Sequence, residues 1–229
     1  MKIVLINHQG LKLTSGIQIQ SPSPPIGLAY IGAYIKQHGY DYLAIDACGE
    51  ALYQATPSKN DPDMLIQGLT VKQIIDKIPK DTELIGLTSL FSHAWFLVKE
   101  IIAAIRYAFP DIVIVVGGEH PTSAADMVLK DGKVDFVIMG EGEETFVEIL
   151  DNISKGKKCF DLNGIAYLSN TENLVVNEKR IRIRAIDSFP FPDWDQWSIR
   201  EYINYEQVTG VNLGRAIPIL GSRGCPYEC

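Results

Sequence analysis

A chain of 229 residues that is 46% apolar and 21% charged has ample material for a buried core, which excludes wholesale disorder. Its 21 basic and 28 acidic side chains leave a net charge of −7, without the basic cluster that binding a phosphate backbone or an anionic membrane surface needs. No apolar run approaches the roughly 18 residues of a spanning helix, and the opening MKIVLINH lacks the longer apolar stretch and small-residue cleavage site of a signal peptide. The expectation is a cytoplasmic protein with neither nucleic acid nor membrane as partner. Four cysteines, Cys48, Cys159, Cys225 and Cys229, are too few and scattered for a secreted disulfide framework.

The first 155 residues repeat one phrase: a short run rich in Ile and Val, a polar or glycine-rich turn, then an amphipathic segment. Residues 2–7 read as the first strand. A long loop follows with Gly10, Gly16, Pro22, Pro24 and Pro25, the last suited to a first helical turn. Residues 26–38 carry Leu28, Ile31 and Ile35 at helical spacing, and Gly39 is a natural C-terminal cap. Residues 42–46 are the second strand and 71–78 a short helix. The third strand spans 83–90, the third long helix 93–109 with Pro110 as its stop, and the fourth strand 112–116. A helix over 123–129, a fifth strand over 136–139 and a helix over 143–154 complete the unit. Continuously apolar strands alternating with helices predict a three-layer α/β/α domain around five parallel strands, Rossmann-like and flavodoxin-like; the pattern does not fix strand order, and 2-1-3-4-5 is what the flavodoxin-like resemblance implies.

Beyond Gly156 the pattern changes. Residues 164–168 and 174–176, separated by Ser169-Asn170-Thr171-Glu172-Asn173, read as a β-hairpin. Arg180, Arg182 and Arg184 alternate with Ile181 and Ile183, as on a solvated, charged edge strand. Residues 188–197 hold Phe189, Phe191, Trp194 and Trp197, too aromatic for a free linker, so an extended strap packed on something larger is expected. Residues 216–220 look like one more buried strand, after which the chain stops, as a piece of a longer protein would. The organisation is thus a domain over 1–155, a hairpin extension over 156–187, and a strap with a first strand and loop of a further domain over 188–229.

Ligands of open parallel sheets bind outside the carboxyl ends of the strands. Here those ends carry Asn7-His8-Gln9-Gly10, Thr88-Ser89-Leu90, Gly117-Gly118-Glu119-His120 and Met139-Gly140-Glu141-Gly142, with Thr145 just beyond. Glycine admits a ligand close to the backbone, and helix N-termini present free N–H groups. None of these loops is the dinucleotide or phosphate-loop fingerprint, and the acidic turn at 140–144 would repel phosphate. His8, His93 and His120 come from separate loops without zinc-type spacing. Cys225 and Cys229 stand in a C-x-x-x-C spacing after Arg223-Gly224; thiolates there suit a soft metal or an iron–sulfur cluster.

With these motifs in order, the sequence resembles the cobalamin-binding class of radical S-adenosylmethionine enzymes. Gly224-Cys225-Pro226-Tyr227-Glu228-Cys229 looks like the first two cysteines of the C-x-x-x-C-x-x-C cluster motif, and the third would lie at position 232. Pro25-Ile26-Gly27-Leu28-Ala29-Tyr30-Ile31, the 117–122 and 140–145 loops, and Phe189-Pro190-Phe191-Pro192-Asp193-Trp194 also match the family pattern. The resemblance implies cobalamin over the carboxyl edge of the sheet, its nucleotide tail threaded past Thr88, Ser89, Leu90, Gly117, Gly118, Met139, Gly140 and Gly142. Where one branch carries D-x-H-x-x-G, this chain has Asn7-His8-Gln9-Gly10, so base-off cobalamin without a histidine on cobalt is expected. For the intact parent the resemblance implies a 4Fe–4S cluster, S-adenosylmethionine and a radical barrel, with methyl transfer as the leading activity and ring formation or oxidation as others; the 229 residues themselves would bind cobalamin without turnover. A stand-alone cobalamin sensor, or a flavodoxin-like nucleotide- or flavin-binding protein, are the other readings.

Overall fold

The computed structural model describes residues 1–15, 22–181, 186–205 and 214–223. In chain order the elements are β1 (Ile3–Asn7), β2 (Gly10–Leu13), α1 (Ile26–Gln37), β3 (Tyr42–Asp46), β4 (Ala55–Pro57), β5 (Met64–Gln67), α2 (Val71–Lys77), β6 (Leu84–Thr88), α3 (Trp95–Ala108), β7 (Val113–Gly117), α4 (Glu119–Ser123), α5 (Ala125–Gly132), β8 (Phe136–Ile138), α6 (Glu143–Ser154), β9 (Ile165–Leu168), β10 (Leu174–Val176) and α7 (Ile199–Tyr205).

The main sheet runs β10-β9-β8-β7-β6-β1-β3. Its five strands from β3 to β8 are mutually parallel, in the order 2-1-3-4-5 that the flavodoxin-like resemblance implies. Strand β1 lies in the interior and is buried at all five positions. Alternation divides its side chains between two cores. Ile3 and Leu5 face Leu28 and Ile35 of α1 and Phe146 and Leu150 of α6; Val4 and Ile6 face the layer of α2, α3 and α5 through Ile74, Ile101 and Val128. That is the three-layer sandwich. Helix α6 lies close to the sheet because β6 has no side chain at Gly86. A Cβ there would stand 2.7 Å from Leu5 Cδ2 and 2.8 Å from Phe146 Cε2.

Three expectations need correction, while the hairpin, present as read, joins the main sheet: β9 pairs antiparallel with β8, Val137 opposite Ala166, and makes the sheet seven-stranded. An otherwise open edge at β8 is thereby covered, and the buried Ile165 and Ala166 join the core. The long loop and the stretch before α2 are not irregular throughout; they supply β2, β4 and β5, a three-stranded antiparallel sheet in the order β2-β5-β4. Residues 216–220 form no strand, and Ile219 is 84% exposed, since no strand edge reaches them. Nor do the described residues 178–181 form a charged edge strand. Arg180 turns inward, donating from Nε to Thr145 Oγ1 (3.0 Å) and pairing with Glu144 (3.1 Å) and Glu148 on α6. Arg182 and Arg184 lie outside the described residues.

The aromatic strap packs back on this same domain. Asp193 receives the Tyr42 hydroxyl (2.8 Å) and Lys36 (2.6 Å), its amide donates to the Ala29 carbonyl (3.0 Å), and Trp197 is buried. The following helix α7, not foreseen, inserts the fully buried Tyr202 at the carboxyl end of β3. There Asp46 Oδ1 accepts from Tyr202 (2.9 Å), Asn7 Nδ2 (2.8 Å) and the Gly49 amide (3.0 Å), while Oδ2 accepts no well-formed bond among the described residues. Burial raises the Asp46 pKa, against the opposing pull of Asn7, Tyr202 and the Gly49 and Ser198 amides.

Gly86→Ala is expected to cost about 1–3 kcal/mol in urea unfolding, because the new methyl must displace Leu5 or Phe146. Tyr202→Phe should cost about 1–2 kcal/mol through the hydrogen bond lost at Asp46. Because the folded state raises this carboxyl's pKa, it binds more protons than the unfolded chain above about pH 4. The Asp46 contribution therefore declines as pH rises out of the acid range, and the stability of Asp46→Asn relative to the unaltered chain should improve from pH 4 to pH 7. An unchanged difference across that range would remove the buried-carboxyl explanation.

Candidate functional site

The carboxyl ends of β1, β3, β6, β7 and β8 share one edge, and strand order reverses between β1 and β6. Chain connections leave that point in opposite directions, which opens a crevice. Two hollows meet there. One, of about 390 Å³, is lined by His8, Gln9, Gly10, Cys48 and the 22–26 turn. The other, of about 410 Å³, descends between α1, α6 and the sheet to Gly86 and Val115. They share Gly27, Leu28, Thr88, Leu90 and Leu220, and so form one cleft.

Missing side chains make its depth. A Cβ on Gly27 or Gly140 would meet nothing within 4 Å, and one on Gly117 only Ile138, at 3.8 Å. Gly118 is required by conformation as well as by space: its φ is +112°, and a Cβ would sit 2.5 Å from the Ser89 carbonyl oxygen. That carbonyl accepts the His120 amide (3.3 Å), and the Ser89 amide donates to Gly117 (3.0 Å), so the β6 and β7 loops are tied together under the opening. The inner walls are apolar, with Ile31, Val115, Ile138 and Phe146. The rim carries carboxylates at Glu119, Glu141 and Glu143.

His8 Nδ1 donates to the Gln9 carbonyl (2.5 Å). Burial is the main cause lowering its pKa, with the neighbouring His93 adding to it and the Gln9 bond opposing, so the ring is neutral at physiological pH. Gln9 is buried, with Nε2 on the Leu69 carbonyl (3.0 Å) and Oε1 without a partner among the described residues. No group of three or more metal-binding side chains is present among the described residues.

Of the residues singled out in the sequence, His8, Gln9, Gly10, Thr88, Leu90, Gly117, Gly118, Glu119, Gly140, Glu141 and Gly142 line the cleft. Ser89 is fully buried behind it. His120 is buried too, bonded to Ser92 Oγ (2.9 Å) with its ring 5.3 Å from that of Trp95. Thr145 is occupied by Arg180. Met139 faces a smaller hollow of about 210 Å³ beside Thr122 and Arg180. Cys225 and Cys229 lie outside the described residues. Sequence reasoning missed Gly27, Ile31, Gly86, Val115 and Phe146, which wall the cleft from inside regular elements. A lone glycine within the apolar strand 84–88 was the available signal.

Comparison with known proteins places this geometry. The chain is 25% identical over 232 residues to the cytidylyl-2-hydroxyethylphosphonate methyltransferase of Streptomyces wedmorensis, covering 90% of this chain and 43% of the relative. It is 28% identical over 238 residues to the anaerobic magnesium-protoporphyrin IX monomethyl ester cyclase of Rubrivivax gelatinosus, covering 100% and 38%. The chain thus spans less than half the length of these curated relatives. Among solved structures, the cobalamin-dependent S-adenosylmethionine radical enzyme OxsB with aqua-cobalamin bound superposes with a TM-score of 0.63 at 18% identity, over 85% of this chain and 24% of that one. At that identity the likeness is one of fold. Residues 14–150, more than half of the chain, match the B12 binding domain, and the chain belongs to that family.

Proposed function

We propose that the cleft binds cobalamin and that this chain is the cofactor-holding part of a radical S-adenosylmethionine methyltransferase. The observation that carries the reading is the slot running from the carboxyl edge down to Gly86 and Val115, bounded by glycine backbone where side chains would fill it. The walls of Ile31, Val115, Ile138 and Phe146 match the apolar faces of a nucleotide base. Glu119 and Glu141 on the rim can accept from the primary carboxamides that surround a corrin ring. The residues present therefore fit the group.

Cobalamin would supply a methyl group carried on cobalt, chemistry that no side chain here can perform. This chain's own contribution is to hold and orient. Gly117 and Gly118 bring backbone to the cleft floor, Gly140 and Gly142 do so on the α6 side, and Gly27 clears the α1 side. Gln9 keeps the loop after β1 in place through Leu69. His8 donates its Nδ1 proton to the Gln9 carbonyl, which leaves Nε2 as the lone-pair nitrogen; the reading of base-off binding without a protein nitrogen on the metal rests instead on the departure of Asn7-His8-Gln9-Gly10 from the D-x-H-x-x-G pattern. Cys225 and Cys229 would be two of the three ligands of a 4Fe–4S cluster that activates S-adenosylmethionine in the whole enzyme.

Incubation with hydroxocobalamin or flavin mononucleotide, followed by desalting and a visible spectrum, tests the binding claim. Corrinoid should be retained at about one per chain and flavin lost; retained flavin without corrinoid would overturn the reading. Gly27→Phe and Gly117→Leu project into open space, so each should cut corrinoid retention by about tenfold or more while changing unfolding stability by less than about 1 kcal/mol. The electron paramagnetic resonance spectrum of the protein loaded with cob(II)alamin should lack nitrogen splitting. Splitting that disappears in His8→Ala would assign His8 to cobalt instead.

A further inference from the structure

Arg223 is the last described residue before the C-terminal cysteines, and it is not left in solvent. Nη1 pairs with Glu143 Oε1 at 2.7 Å, and the two side chains are only 15% and 7% exposed. The guanidinium lies over two aromatic rings from different parts of the chain, 5.0 Å from the centre of Tyr30 and 4.6 Å from that of Phe189. Tyr30 belongs to α1, Phe189 to the strap, and Glu143 opens α6. Three separately folded segments therefore close on one planar cation, at the wall of the cleft it lines together with Ser222 and Leu220.

Residues 214–223 form no regular element, and the side chains of Ile217, Ile219 and Leu220 are 45%, 84% and 47% exposed. In so open a stretch one buried side chain can act as a pin. Arginine suits the pin because its charge cannot titrate away, its plane stacks on rings, and its N–H groups bond a carboxylate at the same time. Glu143, for its part, is stabilised by the helix N-terminus that it begins.

We infer that Arg223 is a positioning residue: held by Glu143, Tyr30 and Phe189, it fixes at the wall of the cleft the point from which the chain continues to the two cysteines, and so ties the cysteine-bound centre to the cofactor cleft. The role of the cysteines rests on the function proposed above, whereas the clamp itself does not.

A nitroxide on Cys225 in a Cys229→Ser chain reports this directly, with Cys48 and Cys159 protected by burial. Without any corrinoid present, the label should give a broadened, immobilised spectrum, and Glu143→Gln should narrow it toward that of a free chain. Trypsin gives a second reading, since it must draw the Arg223 side chain into its own pocket. Cleavage after Arg223 should be about tenfold slower than after the exposed Arg215, and Glu143→Gln should bring the two rates together. Arg223→Lys keeps the charge but not the flat stacking surface, and should fall between. A freely mobile label in the chain with Glu143 intact, or spectra and cleavage ratios unmoved by Glu143→Gln, would overturn the clamp. Failure of corrinoid uptake would instead strike the proposed function and leave these readouts as they are.

Discussion

The contact of Phe146 and Leu5 with the bare backbone of Gly86 sets the layout of the site. It seats α6 close on the sheet face, which fixes the Gly142–Glu143 start of that helix at the carboxyl edge. With α6 so placed, Ile31 of α1 and Ile138 of β8 approach Gly142 to 3.4 Å from where its Cβ would be, and the space left between helices and sheet becomes a slot. A larger residue at position 86 would force the helix outward, and slot and helix terminus would shift together. Packing at the centre and access at the edge are one constraint.

Beyond the parallel sheet the chain returns to that same edge twice, and each return is fastened by a buried polar cluster. Tyr202 reaches Asp46 and Asn7 on the β1–β3 side, while Arg223 reaches Glu143 on the α6 side. Each removes a charge or hydroxyl from water and is tolerable only because its partners are already in position. Apolar contacts alone would leave both segments free to slide, since hydrophobic burial is non-directional. The hydrogen-bonded clusters give each return a single seat, one on either flank of the cleft. The loops at the carboxyl edge and residues 214–223 thus share a frame of reference built from buried polar side chains beside the cleft.

Much of the fold was legible in the chain. Strand 42–46, helix 143–154 and the hairpin strand 174–176 have the limits read from their patterns. These elements declare themselves because apolar periodicity is local: a residue's neighbours in sequence decide it. The loops of the site were legible for the same reason, through Gly117-Gly118 and Gly140-Glu141-Gly142 at strand ends. What was misread depends on distant partners. Residues 216–220 have the composition of a strand but no edge to pair with among the described residues, and Arg180 reads as a surface charge until α6 presents Glu144 and Glu148.

The sequence by itself therefore determined the alternation of strand and helix, the parallel sheet and the glycine-rich edge, because each follows from short-range pattern and backbone conformation. Tertiary structure alone decided that Gly86, Val115 and Phe146 enclose the inner cleft, that Tyr202 and Arg223 are its flanking anchors, and that Ser89, His120 and Thr145 stand behind it. Those assignments turn on which side chains meet across dozens of residues, and long-range contact is settled by packing geometry, which no local pattern encodes.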